Sequence, residues 1–261
     1  MLELYHWEPN TYFLKPLIAL KEKQANFTSH YFDPTKFEQF APSFPQNVES
    51  RLHLEREGPV LVDGKQAISS SFFMLEYIAE AVPGTTLNPG GAWEHYQARA
   101  WGQIFALSVG SDVTALGCAR HLAPLLRERE QKELRARVGK IEPQERRAAW
   151  LAVIDGTYDE KALAAIRHRL EFPIKRVEAA LSKDTWLAGR DYSIADIDAF
   201  AMLTVLPGLA PDLVNDRATP RIVDFLHRMG ERRAVREALA MSRTGKPQQA
   251  FVPGAEPSRW G

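Results

Sequence analysis

A chain of 261 residues has room for one large domain or two modest ones, and enough sequence to bury a real core. Its 33 Lys and Arg balance its 33 Asp and Glu, which removes the electrostatic argument for nucleic acid or an anionic membrane as the main partner. The start MLELYHWEPN has no basic stretch leading into an apolar one, and no apolar run reaches the ~18 residues of a membrane span, so a cytoplasmic protein is expected. The lone cysteine, Cys118, excludes an intramolecular disulfide and a cysteine-based zinc site. It reads as a helix-packing residue rather than a nucleophile, and no bound metal is expected.

In chain order, Leu2 to Trp7 alternates apolar and polar residues and predicts a strand ending near Pro9. Phe13 to Gln24 has helical spacing at Leu14, Leu17, Ile18 and Lys21, provided Pro16 lies in the first turn, where no backbone N–H is needed. Asn26 to Tyr31 is a second strand candidate. Asp33 to Glu57 is polar and irregular and predicts a loop with at most one helical turn. Val60-Leu61-Val62-Asp63-Gly64 then reads as a strand entering a hairpin through Asp-Gly. Ser69-Ser70-Ser71 introduces an apolar helix over Phe72 to Ala81, with serine suited to cap it. The order β-α-β-loop-β-β-α implies a parallel crossover followed by an antiparallel pair.

Gly84 to Gly91 (GTTLNPGG) reads as a linker, giving a domain over residues 1–83 and a second over 92–261. The second predicts helices at Ala92 to Leu126, Pro143 to Val153, Asp159 to Leu181, Ile194 to Val205 and Pro220 to Leu239. The mixed charges of Arg127 to Arg147 fit a solvated helix face and turn. His121 and His168 fall within helices as surface or interface residues, and the tail beyond Gly245 is expected to wrap loosely. No HExxH, Gly-rich phosphate loop or Ser-His-Asp arrangement occurs.

Two motifs sharpen this order. Gly58-Pro59-Val60-Leu61, then Ser71 and Leu75-Glu76-Tyr77-Ile78, resembles the Val-Pro and Ser-x-x-Ile pattern of glutathione S-transferases. Leu187-Ala188-Gly189-Arg190-Asp191-Tyr192-Ser193-Ile194-Ala195-Asp196 resembles that family's second motif, and Ser193 with Asp196 makes a capping-box variant. The resemblance covers essentially the whole chain and implies a thioredoxin-like α/β N-terminal domain followed by an all-α C-terminal domain. Within the family, Leu14-Lys15-Pro16-Leu17, Asp33-Pro34-Thr35-Lys36-Phe37-Glu38-Gln39, Glu76-Tyr77 and Tyr192 to Ile197 are similar to the bacterial β-etherase branch. That likeness implies glutathione as co-substrate, with its thiolate displacing an aryloxide from a lignin-derived β-aryl ether ketone.

The resemblance also implies site residues. Pro59 is expected to be cis, with the Gly58 backbone pairing the cysteinyl part of glutathione. Ser71 is expected at the γ-glutamyl carboxylate, where helix N–H groups and the dipole favour an anion. Ser70 stands where the family has an acidic residue, and reads equally as ligand or helix cap. Arg51 and His53 are either cations for the glycyl carboxylate or solvated loop residues. A transferase must lower the thiol pKa from its ordinary ~8.5. The family's serine near the sulfur is replaced by Thr11-Tyr12-Phe13, so Asn10 and Thr11, then Tyr12, are the candidate donors, each with a turn or packing role as the alternative. Trp93, Tyr96, Trp101 and Phe105 form a helical stripe that fits core or interface, while the helix position in the family makes Trp101, Phe105 and Ser108 candidates for an apolar substrate cleft. Three functions follow: a β-etherase, a silent subunit supporting an active homologue, or a general detoxifying transferase. A homodimer or heterodimer is expected in each case.

Overall fold

The computed structural model describes residues 1–40, 58–88, 90–141 and 144–253. Arg51 and His53 lie outside the described residues.

Four strands form one mixed sheet in the order β2-β1-β3-β4: β1 Leu2–His6, β2 Phe27–Tyr31, β3 Val60–Asp63 and β4 Gln66–Ile68. β1 runs parallel to β2, with helix α1 (Thr11–Glu22) as the crossover, and antiparallel to β3. β3 turns back into β4 through Gly64-Lys65, Gly64 taking the left-handed φ of 59° that opens the turn without steric cost. Helix α2 (Ser71–Ala81) follows β4 and packs on α1.

Helix α1 begins two residues earlier than its apolar spacing predicts. Asn10 caps it by accepting from the Thr11 N–H at 3.1 Å. Pro16 therefore lies in the second turn, not the first, and leaves one intrahelical bond unmade. Residues Phe13 to Leu20 are buried on every side of this helix, because it touches α2 on one side and the second domain on the other.

The second domain is helical throughout its regular structure. From Ala92 to Arg127 the chain runs as the predicted long helix, but in pieces: α3 (Ala92–Ile104), a π-helical turn at Phe105–Val109, α4 (Gly110–Gly117), a second π turn at Cys118–Leu122, and α5 (Ala123–Arg127). α6 (Gln131–Val138) occupies the charged stretch, followed by α7 (Gln144–Asp155) and α8 (Glu160–Leu181). α9 (Ile194–Leu203) starts at the capping box: the Ser193 N–H donates to Asp196 Oδ2 at 2.9 Å, and the Ser193 hydroxyl accepts from the helix. Asp196 also accepts from the Leu187 N–H at 2.9 Å, which fixes the preceding loop on the helix end. After the short α10 (Leu206–Leu209), the helix predicted over Pro220 to Leu239 is broken at Glu231-Arg232 into α11 (Pro220–Gly230) and α12 (Arg233–Leu239).

The two domains meet along α1. Lys15 on α1 and Asp198 on α9 form an ion pair of 2.5 Å, both side chains 1% exposed. Burial pushes the Asp198 carboxyl above the ordinary carboxylate range, and Lys15 opposes that rise. A second link joins Arg232 to Glu22 through two hydrogen bonds of 2.6 and 3.0 Å.

The tail corrects an expectation. The described part of this tail, residues 246–253, does not wrap loosely: the Ala250 carbonyl accepts from Asn10 of the N-terminal domain, and Phe251, 2% exposed, packs on the helical domain. Its ring stacks on His121 at 5.8 Å and sits where a Cβ on Gly117 would overlap it. A close approach of this kind is available only to glycine. Cys118, beside this contact, is buried, and burial pushes its thiol well above the ordinary range, as a packing residue requires.

Candidate functional site

The sheet register assembles the candidate site at one end of the N-terminal domain. Tyr5 on β1 faces Val60 on β3, so the loop leaving β1 runs beside Gly58-Pro59, and Leu61 faces Ile68 on β4, which brings the start of α2 to the same end. The first turns of α1 and α2 both open there.

The Gly58–Pro59 bond is cis. Gly58 is closely packed: a Cβ there would lie 2.5 Å from the Phe13 ring and 2.6 Å from the Phe32 ring. Phe13, Phe32 and Trp7 form a small aromatic cluster of their own, with edge-on ring contacts near 6.0 and 6.1 Å, against which Tyr5, Tyr31, Ala250 and Val252 pack. Glycine at 58 and phenylalanine at 13 are therefore one feature: the larger side chain at 13 takes the volume that a side chain at 58 would need.

At α2, Ser70 holds a φ of 61°, a strained value for a residue with a Cβ, and its hydroxyl makes no capping bond. Ser71 is the first helical residue and is buried. The expected serine cap is absent, so the N–H groups of this helix end are not satisfied by its own side chains.

At α1 the arrangement is different. Asn10 is buried, with its Oδ1 on the Thr11 N–H and its Nδ2 donating to the Ala250 carbonyl at 2.9 Å. Both polar atoms of that amide are thus engaged by the fold. Tyr12 is turned toward the helical domain: its hydroxyl lies 2.6 Å from where a Cβ on Gly110 would stand, and the Lys15 ammonium lies 5.3 Å from its ring centre. Buried Arg146 also faces Tyr12. Burial lowers the guanidinium to about 9, and Tyr12 acts in the opposite direction. Thr11, between them, is buried and holds a φ of 42°. A β-branched residue in the left-handed region is a true outlier, and such strain collects at functional positions.

The substrate-cleft candidates separate. Phe105 is fully buried in the main core, and Trp101 donates its indole N–H to the Leu187 carbonyl at 2.9 Å, which braces α3 against the loop before α9. Both are packing residues here, the role their helical stripe allowed. Ser108 is exposed within the first π turn. Trp93 and Tyr96 are also exposed, stacked at 5.2 Å. Sequence reasoning did not find Glu8, Arg146 or the Lys15–Asp198 pair as such. Lys15 stood in a noted motif, but nothing local identifies its partner.

Among the described residues no group of three or more His, Cys, Asp or Glu is placed to hold a metal ion, and no helix is long and apolar enough to cross a membrane.

A small mixed sheet with a cis-proline before β3, joined through α1 to a helical domain, defines the fold of the glutathione transferases, and the chain belongs to that family. Residues 1–80 match the model of the glutathione S-transferase N-terminal domain and residues 128–233 that of the C-terminal domain. More particularly, the chain is 27% identical over 248 residues to Protein LigF of Sphingobium sp. (strain NBRC 103272 / SYK-6), covering 93% of this chain and 94% of that one. The crystal structure of beta-etherase LigF from Sphingobium sp. strain SYK-6 superposes with a TM-score of 0.85 at 26% identity, over 92% of this chain and 99% of that one. A glutathione transferase from Pseudomonas putida, solved with one glutathione disulfide per subunit, shares the fold at a TM-score of 0.67 and 20% identity, over 92% and 91% of the two chains.

Proposed function

We propose that the protein is a glutathione-dependent β-etherase, with Thr11 as the residue that stabilises the glutathione thiolate. The observation that carries the assignment of Thr11 is the commitment of its neighbours. Asn10 spends both polar atoms on the fold, and Tyr12 points to the helical domain. Thr11 remains, strained at the first turn of α1, where a hydroxyl and the helix N-terminus act together on an anion. Glutathione lies with its cysteinyl backbone along Gly58 and its γ-glutamyl carboxylate at the uncapped start of α2, against Ser71 and beside Ser70.

The thiolate attacks the carbon bearing the aryloxide; the C–S bond forms as the C–O bond breaks, and the pair of electrons leaves on the phenolate oxygen. The Tyr12 hydroxyl and the Arg146 guanidinium, on the helical side of Thr11, suit an oxygen that gains negative charge in this step. The likeness to LigF supports an aryl ether as substrate. Exposed Phe73 on α2, with Trp93 and Tyr96 on α3, supports a dimer through these helices. A second reading, a silent subunit paired with an active homologue, draws on Phe13, which stands where the family offers a serine.

The test is glutathione-dependent release of a phenol from a β-aryl ether ketone, by this chain alone and with a homologue. Release by the chain alone is expected. Release only in the mixture would transfer the chemistry to the partner and leave this chain the supporting half.

A further inference from the structure

Glu8 is a fully buried carboxylate in the loop between β1 and α1, outside every motif. It accepts from the Tyr31 hydroxyl at 2.8 Å, from the Arg243 and Thr244 N–H groups at 2.9 and 3.1 Å, from the Thr244 hydroxyl at 3.0 Å, and from the Ser242 hydroxyl. Four of these five donors belong to the C-terminal tail, more than 230 residues away in sequence. A buried carboxylate with that many donors is a strong, charge-assisted anchor. Arg243 closes the knot from outside, its guanidinium 4.2 Å from the Tyr31 ring centre.

From this anchor the tail runs to Ala250, whose carbonyl accepts from Asn10, and to Phe251, seated against Gly117 and His121. Asn10 in turn holds the Thr11 N–H. The contacts form one chain, Glu8 to tail, tail to Asn10, Asn10 to Thr11, and its last member is the strained residue.

We propose that Glu8 is a positioning residue: it locks residues 242–253 as a strap across the loop before α1, and the locked strap, through Ala250 and Asn10, holds Thr11 in the geometry that serves the thiolate. The proposal rests on the reading of Thr11 given above. A strained φ persists only where its surroundings over-determine it, and the strap supplies the constraint that the loop lacks on its own. The γ-glutamyl end at α2 has no part in this chain of contacts, so the strap acts on ionisation of the thiol and not on capture of the tripeptide.

Glu8→Gln keeps the volume and removes the charge; Ser242→Ala with Thr244→Ala removes two donors and leaves Glu8 intact, so one of the two variants serves if the other fails to fold. Trypsin cleavage after Arg243 reports release of the strap. Ultraviolet absorbance of glutathione thiolate against pH reports ionisation in the bound state. In a variant whose strap is released, the bound thiol pKa should rise by about one pH unit, a loss of thiolate that reaches ~10-fold at pH values below that pKa. The turnover number should fall in step and recover at higher pH, with KM for glutathione little changed. A released strap with unaltered thiol ionisation and turnover would overturn the proposal. If the wild type binds no glutathione, the functional reading falls separately; hydrogen exchange of the Thr11 amide then tests the strap, with faster exchange in the variants expected and unchanged exchange overturning it.

Discussion

The two helix N-termini of the candidate site are built on opposite plans. At α2 no side chain caps the helix, and Ser70 sits at a strained φ with its hydroxyl unused by the helix. At α1 the Asn10 side chain takes the Thr11 N–H, its amide is bound a second time by the tail, and the next residue carries the strain. An uncapped helix end keeps its N–H groups for a ligand, whereas the α1 cap gives the Thr11 N–H to the fold and so fixes the residue that carries it. The first end suits an anion that is bound; the second suits a precisely held group beside a reacting atom. Between them, Gly58 leaves free the space that the Phe13 and Phe32 rings occupy.

Breaking the support beneath α1 should have the largest effect. Lys15→Met leaves Asp198 buried without its cation, and should cost ~3–5 kcal/mol in chemical denaturation. Replacing both partners by apolar residues of matching size should restore most of that loss. Recovery failing in the double variant would show that the pair does more than neutralise itself.

Gly58→Val tests the exchange of volume between positions 58 and 13. The added side chain meets the Phe13 and Phe32 rings, and a loss of ~1–3 kcal/mol is expected from overpacking. In a Phe13→Ser background, where only the Phe32 ring still meets the added side chain, the same substitution should cost less. Equal costs in the two backgrounds would separate the positions.

How much of this was legible in the sequence follows from the distance between partners. β1 to β4 and α2 were readable because period, turn residues and strand order are local signals. The capping box at Ser193 and Asp196 spans three residues and was equally plain. Pro16 was misplaced by a turn because the cap that starts α1 is an asparagine two positions before the apolar spacing begins. The role of Phe13 needed Gly58 and Phe32 beside it. The tail carries no periodic apolar pattern; its order comes from a carboxylate at position 8 and a glycine at 117. The stripe Trp101 and Phe105 has the right spacing for either cleft or core, and both side chains are buried.

Ser71→Ala addresses the other end of the site. It should weaken glutathione binding by ~1.5–3 kcal/mol in titration calorimetry, the usual loss of a hydrogen bond to a charged group, and leave ionisation of the bound thiol unchanged. A variant with full affinity would remove Ser71 from the site.

The smallest effect expected is one of pH. Burial raises the Glu8 carboxyl, but its bonds from Ser242, Tyr31, Arg243 and Thr244 outweigh that and hold it below the ordinary glutamate range. Its contribution to stability is therefore complete above the ordinary pKa of about 4.5 and is lost as pH falls through the lower folded value. Pepsin, active at acid pH, reports release of the tail there: tail cleavage should begin at a higher pH in Glu8→Gln than in the wild type. Identical onset would mean that the carboxylate charge does not hold the strap.

The claim that the Thr11 hydroxyl stabilises the thiolate is tested most directly by Thr11→Val, which keeps the branched shape and removes only the hydroxyl. The measurement is the pKa of glutathione's thiol when bound to each protein, read from thiolate absorbance against pH. Loss of a hydrogen bond to a charged group is worth ~1.5–3 kcal/mol, so the bound thiol pKa should rise by about one to two pH units in the variant, with the tripeptide still bound through α2. The same bound thiol pKa in Thr11→Val and wild type would contradict the account and place the thiolate donor elsewhere.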